Sequence, residues 1–455
     1  MELGEGLPPG ARWRAMATIA IAISMAVLDG AIANIALPTI GHELGAAPAT
    51  TIWVVNGYQF AVTVSLLPLA FLGDILGYKR IYMAGLAVFT AASLASALAT
   101  SLPLLVAARV LQGFGGAGIM SVNTALIRFI YPQRELGRGL GFNALIVAAF
   151  SALGPSIAAG ILSIASWHWL FAINVPLGVV AAWLAARVLP MTPRADHRFD
   201  LLSAVMNAGT MGLAILAVDG LGREAGWTEA VELVLALVIG AAFLYRQLQL
   251  PVPLLPVDLF RRPVFALSVG TSIGSYIGQT IAYVALPFYF QDVAGLSPIE
   301  TGLLMTPWPA IVVIVAPIAG RLSDRYAAGV LGTAGLAVMT AGLVSVLLMP
   351  TTPGYADVAW RLAVCGLGFG FFQSPNNRLL VGSAPPHRSG AGSGMLATAR
   401  LTGQTFGSAL VALSFGLAGA RSGGAVAHGT MLAMGIAIAA TTSAMVVSAM
   451  RLRAR

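Results

Sequence analysis

One carboxylate in this chain is predicted to lie deep inside a membrane-spanning helix. Asp29 stands in the stretch from about Arg14 to Pro38, which is otherwise almost wholly apolar, whereas the other sixteen acidic residues fall in loops or at predicted helix ends. A charge at bilayer depth costs roughly 2.5–3.5 kcal/mol on insertion scales. Such a residue indicates a proton relay or a cation site, with structural pairing in a buried ion pair as the alternative.

A cation is predicted at a neighbouring depth. Arg109, Gln112 and Gly113 share one face of the predicted fourth helix, because residues three and four apart are neighbours on a helix. Arg109 lies roughly 9 Å and Asp29 roughly 15 Å from the outer surface at 1.5 Å per residue. The two charges are therefore expected to pair, directly or through water. The alternative is that Arg109 extends to the outer interface.

A second deep cation is Arg400, about eleven residues into the predicted thirteenth helix, with Gln404 one turn later. It is either a counter-charge in a cavity or a structural tie to neighbouring amide side chains. Aromatic residues can line a cation-binding cavity, although they are also common at lipid-facing positions. The candidates are Trp53, Tyr58, Phe60, Tyr276, Tyr283, Tyr289, Trp308, Phe371 and Phe372.

A charged loop after the second predicted helix has a counterpart 250 positions later. Glycine permits a tight turn, and an acid there can accept hydrogen bonds from a helix start or from neighbouring cations. The pattern predicts a gating latch, against the alternative of an ordinary basic cytoplasmic loop. Its residues are Gly73, Asp74, Gly77, Lys79, Arg80, Asp324 and Arg325. A second match pairs Arg109 with Arg361, 252 positions on, and the nearly common offset of the two matches supports an internal repeat.

The fifth predicted helix contains Gly154 and Pro155 among small residues. Small residues let helices approach closely, and proline frees backbone groups and permits a bend. A hinge near the transport site and ordinary small-residue packing are both consistent with this pattern.

Composition places these residues in a polytopic membrane protein. Of 455 residues, 58% are hydrophobic and 9% charged, far below the quarter that soluble domains carry. Fourteen apolar runs are long enough to span a bilayer. With the N-terminus inside, twenty of the twenty-five basic residues fall on the cytoplasmic side, which predicts that both termini are cytoplasmic. The net charge of +8 is thus a topology signal and does not indicate nucleic acid binding.

The expected fold is an all-α integral membrane protein with two pseudo-symmetric six-helix bundles and two inserted helices. The predicted domains are residues 1–188, 189–263 and 264–455. Such duplication is typical of secondary transporters with a site between their halves. No P-loop is present, so ATP-driven transport is not expected. Cys365 is the lone cysteine, and the five histidines are scattered, which argues against a disulfide, a metal cluster or an enzyme.

Several strings resemble the fourteen-helix drug/proton antiporters of the major facilitator superfamily along nearly the whole chain. They are Leu28-Asp29 through Asn34-Ile35-Ala36-Leu37-Pro38, the loop Gly73 to Arg80, Arg109-Val110-Leu111-Gln112-Gly113, Gly154-Pro155, and Trp167 through Asn174-Val175-Pro176-Leu177-Gly178. The resemblance implies that the helix-one acid binds a proton or cation, that the helix-four arginine couples proton movement, and that the loop gates.

The chain departs from that family's pattern at two places. Ala158 and Ala159 replace paired glycines in helix five, Phe150 stands where a glycine is usual, and the gating loop begins with Ala70. Alanine is a mild change, whereas Phe150 is expected to disturb close packing of helix five.

The resulting expectation is a proton-coupled exporter of lipophilic, cationic compounds in the inner membrane, driven by the proton gradient without a cofactor. Asp29, Asn34, Arg109, Gln112 and Arg400 are the expected coupling residues. Its partners would be small lipophilic or cationic molecules, protons and the bilayer; a periplasmic adaptor cannot be inferred. The alternative is a dedicated exporter of one endogenous metabolite or lipid-like compound. A transport-inactive sensor or intramembrane enzyme is a remote third possibility.

Overall fold

Long apolar helices account for most of the chain, because a backbone in lipid must satisfy its own hydrogen bonds. The computed structural model describes residues 6–196, 199–222, 226–251, 253–323, 325–350, 354–383, 389–419 and 423–452. The first eight long helices are α1 (Pro9–Glu43), α2 (Pro48–Leu76), α3 (Tyr78–Ala97), α4 (Leu102–Ile130), α5 (Leu136–Ile164), α6 (His168–Val188), α7 (Leu201–Leu221) and α8 (Trp227–Gln249). The other six are α9 (Pro263–Phe288), α10 (Pro298–Leu322), α11 (Ala328–Leu347), α12 (Tyr355–Gly382), α13 (Ser389–Leu417) and α14 (Gly423–Met450).

These fourteen helices confirm the predicted fold class. Within the described ranges, eleven are long and apolar enough to cross a membrane. The remaining three, α9, α12 and α13, contain 26, 28 and 29 residues and are long enough to do so. No β-strand occurs in the described part of the chain.

Contacts divide the chain into two compact units. The first comprises Met1–Ala33 and Trp53–Ala208, and the second comprises Asn34–Ile52 and Gly209–Arg455. In the first unit α4 packs most extensively against α2 and α3, and α3 also packs against α6. In the second unit α12 packs against α10 and α11, while α9 packs against α13 and α14. The domain boundaries at residues 188 and 263 stay a prediction.

Glycine contacts show the internal repeat at the level of single residues. A Cβ added to Gly115 in α4 would overlap the backbone nitrogen of Phe89 in α3, and one added to Gly368 in α12 would overlap that of Met339 in α11. The α3 and α11 residues are 250 positions apart, whereas the glycines are 253 apart. The loop between α11 and α12 is longer by the same three residues, since it runs from Leu347 to Tyr355 rather than from Ala97 to Leu102.

This register corrects the predicted match between Arg109 and Arg361. An offset of 253 places Leu362 at the position that corresponds to Arg109. Arg361 instead forms an ion pair with Asp357 one turn earlier, at 3.1 Å, and donates to the Ser345 carbonyl oxygen. The second unit therefore repeats the helix packing of the first without repeating its buried arginine.

Helices α7 and α8 lie at the periphery. Only 17% of the apolar window of α7 and 11% of that of α8 are buried inside the protein, compared with 67% for α1. These two helices consequently add little to the interior that positions the candidate site.

Candidate functional site

The centre of the candidate site is an ion pair between α1 and α4. The Asp29 carboxylate and the Arg109 guanidinium are in contact in the first unit, with 1% and 0% of their side chains exposed. The predicted pairing is therefore present, and the alternative in which Arg109 extends to the outer interface is wrong. Both groups are withdrawn from water, so each depends on the other for electrostatic compensation.

Amide side chains complete the coordination of the carboxylate. Gln112 donates to Asp29 Oδ1 at 2.8 Å, and Asn174, the seventh residue of α6, donates to the same oxygen at 3.1 Å. Gln112 also accepts from Arg109 at 2.6 Å and donates to Ser93 in α3 at 2.9 Å. Four helices thus contribute to one hydrogen-bonded cluster, defined here as the Asp29 cluster: Asp29, Ser93, Arg109, Gln112 and Asn174.

Aromatic rings surround the Arg109 guanidinium. Its central carbon lies 4.4 Å from the ring centroid of Tyr58 and 5.3 Å from that of Phe171, within the range of cation–π attraction. Arg109 Nε donates to the Val54 carbonyl oxygen at 3.0 Å. One nitrogen, Arg109 Nη2, is buried without a hydrogen-bond partner among the described residues. The arginine is therefore held by several contacts, while its Nη2 atom is available to donate a hydrogen bond.

Protonation of Asp29 would change its pairing with Arg109. The carboxylate accepts hydrogen bonds from three side chains, Arg109, Gln112 and Asn174. A proton on Asp29 would remove the charge that Arg109 faces, and the guanidinium would then need another acceptor. The cluster consequently has the components of a two-state element.

Two predicted coupling residues lie outside the Asp29 cluster. Asn34 is buried in the part of α1 that belongs to the second unit, and its Oδ1 atom has no partner among the described residues. Arg400 lies in α13 of the second unit. The structure therefore brings together Asp29, Arg109 and Gln112 but not the other two residues.

The loop between α2 and α3 is held by contacts within the first unit. Gly77 has a φ of 96°, a conformation that strongly favours glycine. The Tyr78 hydroxyl donates to the Asp74 carboxylate. Lys79 Nζ donates to the carbonyl oxygens of Ala186 and Leu189, at 2.9 and 2.7 Å, and so caps the C-terminal end of α6.

The other loop residues are placed as follows. Gly73 is buried, where a Cβ would meet Val122 at 2.7 Å, and Arg80 is exposed. In the counterpart loop Arg325 is exposed, and Asp324 lies outside the described residues. The assignment of this loop to gating stays a prediction.

Helix α5 approaches α1 beside the Asp29 cluster. It continues without a break through Pro155, and Gly154 and Pro155 are buried. A Cβ added to Gly154 would overlap the Cβ of Ala31, two residues after Asp29. Helix α5 therefore packs closely on α1 at Gly154, one turn after Phe150. The expected effect of Phe150 stays a prediction. The hinge role of Gly154 and Pro155 stays a prediction.

Sequence reasoning missed two members of the cluster, Asn174 and Ser93. Asn174 follows Trp167-His168-Trp169 in a string whose resemblance to a transporter family was noted, but no chemistry was assigned to it. Nothing in the sequence distinguishes Ser93, because a serine in a membrane helix has only a small free-energy cost. Tyr58 was one of nine aromatic candidates, and its position over Arg109 distinguishes it from the rest.

Known proteins resemble the chain over most of its length. A profile of the Major Facilitator Superfamily matches residues 19–408. The chain is 59% identical over 412 residues to the "Uncharacterized transporter YebQ" of Escherichia coli (strain K12), and the match covers 90% of each chain. It is 31% identical over 407 residues to the "Riboflavin transporter RibZ" of Clostridioides difficile (strain 630), covering 89% of this chain and 88% of that one.

Drug resistance proteins also match. Identity to the "Multidrug resistance protein Stp" of Mycobacterium tuberculosis (strain CDC 1551 / Oshkosh) is 30% over 398 residues, covering 86% of this chain and 73% of that one. Among solved structures, a bacterial homologue of the human lysosomal transporter Spinster matches with a TM-score of 0.71 and 15% identity, covering 99% of this chain and 98% of that one. At this identity the structural match concerns the fold alone.

Proposed function

The chain belongs to the Major Facilitator Superfamily of multi-pass membrane transporters, and we propose that it is a proton-coupled exporter that works by alternating access. The observation that carries this proposal is the buried pair of Asp29 and Arg109. A carboxylate fully withdrawn from water, with an arginine as its counter-ion, is an arrangement that proton relays in transporters use.

The proposed cycle uses Asp29 as the proton site. Open to the outside, Asp29 takes a proton, its attraction to Arg109 falls, and cargo is released. After reorientation the proton leaves to the cytoplasm, and the ion pair forms again before the next cargo binds. Gln112 hydrogen-bonds to both members of the pair, so its hydrogen bonds are expected to rearrange when the pair breaks.

One proton per cycle is enough to drive useful export. A proton that enters down a potential of 100 mV supplies roughly 2.3 kcal/mol. At about 1.4 kcal/mol per tenfold change, this corresponds to roughly a fifty-fold concentration ratio of cargo. Asp29 is the one carboxylate predicted at depth in the bilayer, which favours a low proton stoichiometry.

The proposed cargo is a class of small lipophilic compounds. The relative Stp, a multidrug resistance protein, supports breadth. The expectation of a cationic cargo assumed that Asp29 offers a free negative charge. Because Arg109 already neutralises that charge, a cationic cargo would have to compete with a buried guanidinium for the same carboxylate.

A dedicated exporter of one metabolite is the second candidate. The supporting observation is that a relative of 31% identity is named a riboflavin transporter, which is one defined compound. Such a protein would show proton coupling with narrow specificity and little drug resistance.

We also propose an inner-membrane location with both termini in the cytoplasm. The support is the distribution of arginine and lysine over the loops. Reporter fusions at each end, read for cytoplasmic or external exposure, test this orientation.

The experiment for the main proposal measures efflux of fluorescent lipophilic dyes, one cationic and one anionic, from energised cells. Wild type, Asp29→Asn and empty vector are compared with and without a protonophore. The matched control is Asp196→Asn, which removes an exposed carboxylate. We expect protonophore-sensitive efflux of at least one dye that Asp29→Asn abolishes and Asp196→Asn retains. If the Asp29→Asn protein reaches the membrane and its proton-driven efflux equals that of the wild type, the proposed role of Asp29 is wrong.

A further inference from the structure

The second unit contains a deep cation, Arg400, on α13. None of the carboxylates that the structure describes forms an ion pair with it. Its side chain is partly exposed, yet its Nε atom is buried and has no hydrogen-bond partner within the described ranges. An uncompensated charge in the bilayer has a high free-energy cost, and an anionic ligand bound to Arg400 would lower that cost.

Neighbouring helices place further hydrogen-bond donors beside Arg400. Gly403, one turn later, packs tightly on α9, where a Cβ would lie 2.6 Å from the Ile273 carbonyl oxygen and 2.7 Å from Tyr276 Cβ. Residues three apart share a helix face, so Arg400 also faces Tyr276, and its charge acts on the Tyr276 phenol. The Tyr276 hydroxyl accepts from Gln373 Nε2 of α12 at 2.9 Å and thus retains its own proton for another acceptor.

Buried aromatic packing holds these donors in place. The Tyr276 ring meets Phe369 of α12 edge to face, with centroids 5.4 Å apart, and both rings are buried. The side chains of Arg400 and Gln373 are partly exposed. The cluster of Arg400, Tyr276 and Gln373 therefore combines a positive charge and a hydroxyl proton, with no carboxylate.

We propose that this cluster is a cargo subsite that binds the carboxylate of an organic anion. Asp29 and Arg109 compensate each other, whereas none of the described carboxylates pairs with Arg400. The guanidinium and the Tyr276 hydroxyl donate to the carboxylate. This inference rests on the proposed exporter and names the chemical class of its cargo.

The test uses one xanthene fluorophore in three forms: a carboxylate, its neutral methyl ester and a cationic amine analogue. Binding to the purified full chain and transport into inside-out proteoliposomes are measured for each form. We expect the carboxylate to bind at least tenfold more tightly than the cation. Arg400→Gln should remove that preference, Arg400→Lys should restore part of it, and Arg261→Gln, a change at an exposed arginine, should have no effect.

Tyr276→Phe provides a second variant that removes only the hydroxyl, should Arg400→Gln fail to fold. It is expected to weaken carboxylate binding several-fold and to leave ester binding unchanged. Binding of the cation as tight as that of the carboxylate, binding of no form, or an equal loss of all three forms in Arg400→Gln would overturn the subsite.

The same vesicles separate this inference from the exporter proposal. Proton-driven transport of the cation alone would refute the anion subsite and leave the exporter intact. Carboxylate transport that is insensitive to a proton gradient, but lost in Arg400→Gln, would refute proton coupling and leave the subsite intact.

Discussion

At the scale of single residues, the cost of breaking the buried ion pair should exceed its net contribution to stability. Removing one member leaves the other charged and uncompensated, which typically costs about 3–5 kcal/mol. Replacing both members with apolar residues removes both desolvation penalties at once. Asp29 and Arg109 are almost fully buried, so this difference should be large here.

We therefore expect Arg109→Met to lower the free energy of unfolding by about 3–5 kcal/mol and Asp29→Leu/Arg109→Met to recover most of that loss. Denaturant titration of purified protein in detergent measures both values. Neither variant should transport, because the double variant restores packing without a proton site. A double variant that is no more stable than Arg109→Met would show that the two charges are not coupled.

Asn174 is expected to position the Asp29 charge. It is the seventh residue of α6 and donates to Asp29 Oδ1 at 3.1 Å, so it helps to hold the carboxylate in place. Asn174→Leu removes this donor and should lower the rate of proton-driven transport at least tenfold while the melting temperature changes little. Transport in proteoliposomes and thermal unfolding of the same preparation measure the two quantities. A loss of stability as large as that of Arg109→Met would contradict a positioning role.

The sequence was most informative about residues whose burial in the membrane has a high free-energy cost. Asp29 and Arg109 could be predicted because a charged residue in an apolar stretch carries such a cost and therefore indicates a function or a buried ion pair. Asn174 and Ser93 could not, since uncharged polar side chains enter membrane helices at little cost. The neighbourhood of Arg400 and Tyr276 could not be predicted either, because these residues come from different helices and nothing in the linear sequence indicates that they are close.

At the scale of elements, two helix crossings depend on glycine. A side chain at Gly115 or Gly368 would overlap the backbone of the facing helix. We expect Gly115→Ala and Gly368→Ala each to lower the free energy of unfolding by about 1–3 kcal/mol, the usual range for overpacking. Gly141→Ala and Gly435→Ala serve as controls, because a Cβ there meets nothing within 4 Å. Equal stability changes in the two test variants and the two controls would show that the crossings do not depend on these glycines.

The contact between α5 and α1 permits a rescue experiment. Gly154→Ala brings two Cβ atoms into overlap at Ala31, and the shift should displace Asp29 one half-turn away. We expect Gly154→Ala to reduce proton-driven transport at least tenfold, and Ala31→Gly in the same chain to restore most of it. Transport is measured in proteoliposomes at matched protein content. Failure of the second change to rescue would mean that Gly154 acts through backbone flexibility rather than space.

Helix number was predictable from the sequence and repeat register was not. Long apolar runs separated by basic loops predict fourteen helices because the bilayer imposes both patterns. The match of Arg109 with Arg361 is one residue out of register, because its offset is 252 whereas the glycines of α4 and α12 are 253 positions apart. Only the glycine contacts, which depend on how helices face one another, reveal that difference.

At the scale of the whole molecule, the repeat preserves packing while chemistry differs between the units. Both units have the same glycine-mediated crossing, yet the second unit has Leu362 and Cys365 where the first has Arg109 and Gln112. The second unit instead has Arg400, whose Nε atom has no hydrogen-bond partner among the described residues. Under the two proposals above, the proton site lies in the first unit and the site for the cargo charge in the second.

The charge of the cargo decides how transport responds to voltage. If one proton enters as one monovalent anion leaves, two positive charges move inward per cycle, which supplies roughly 4.6 kcal/mol per 100 mV. Exchange for a monovalent cation would be electroneutral. We expect a potassium diffusion potential, negative on the cytoplasmic side, to accelerate export of the xanthene carboxylate and to have a smaller effect on its neutral ester. Asp29→Asn vesicles provide the control, since they should lose the proton-driven part. Carboxylate export indifferent to voltage would contradict the assignment of an anionic cargo to Arg400.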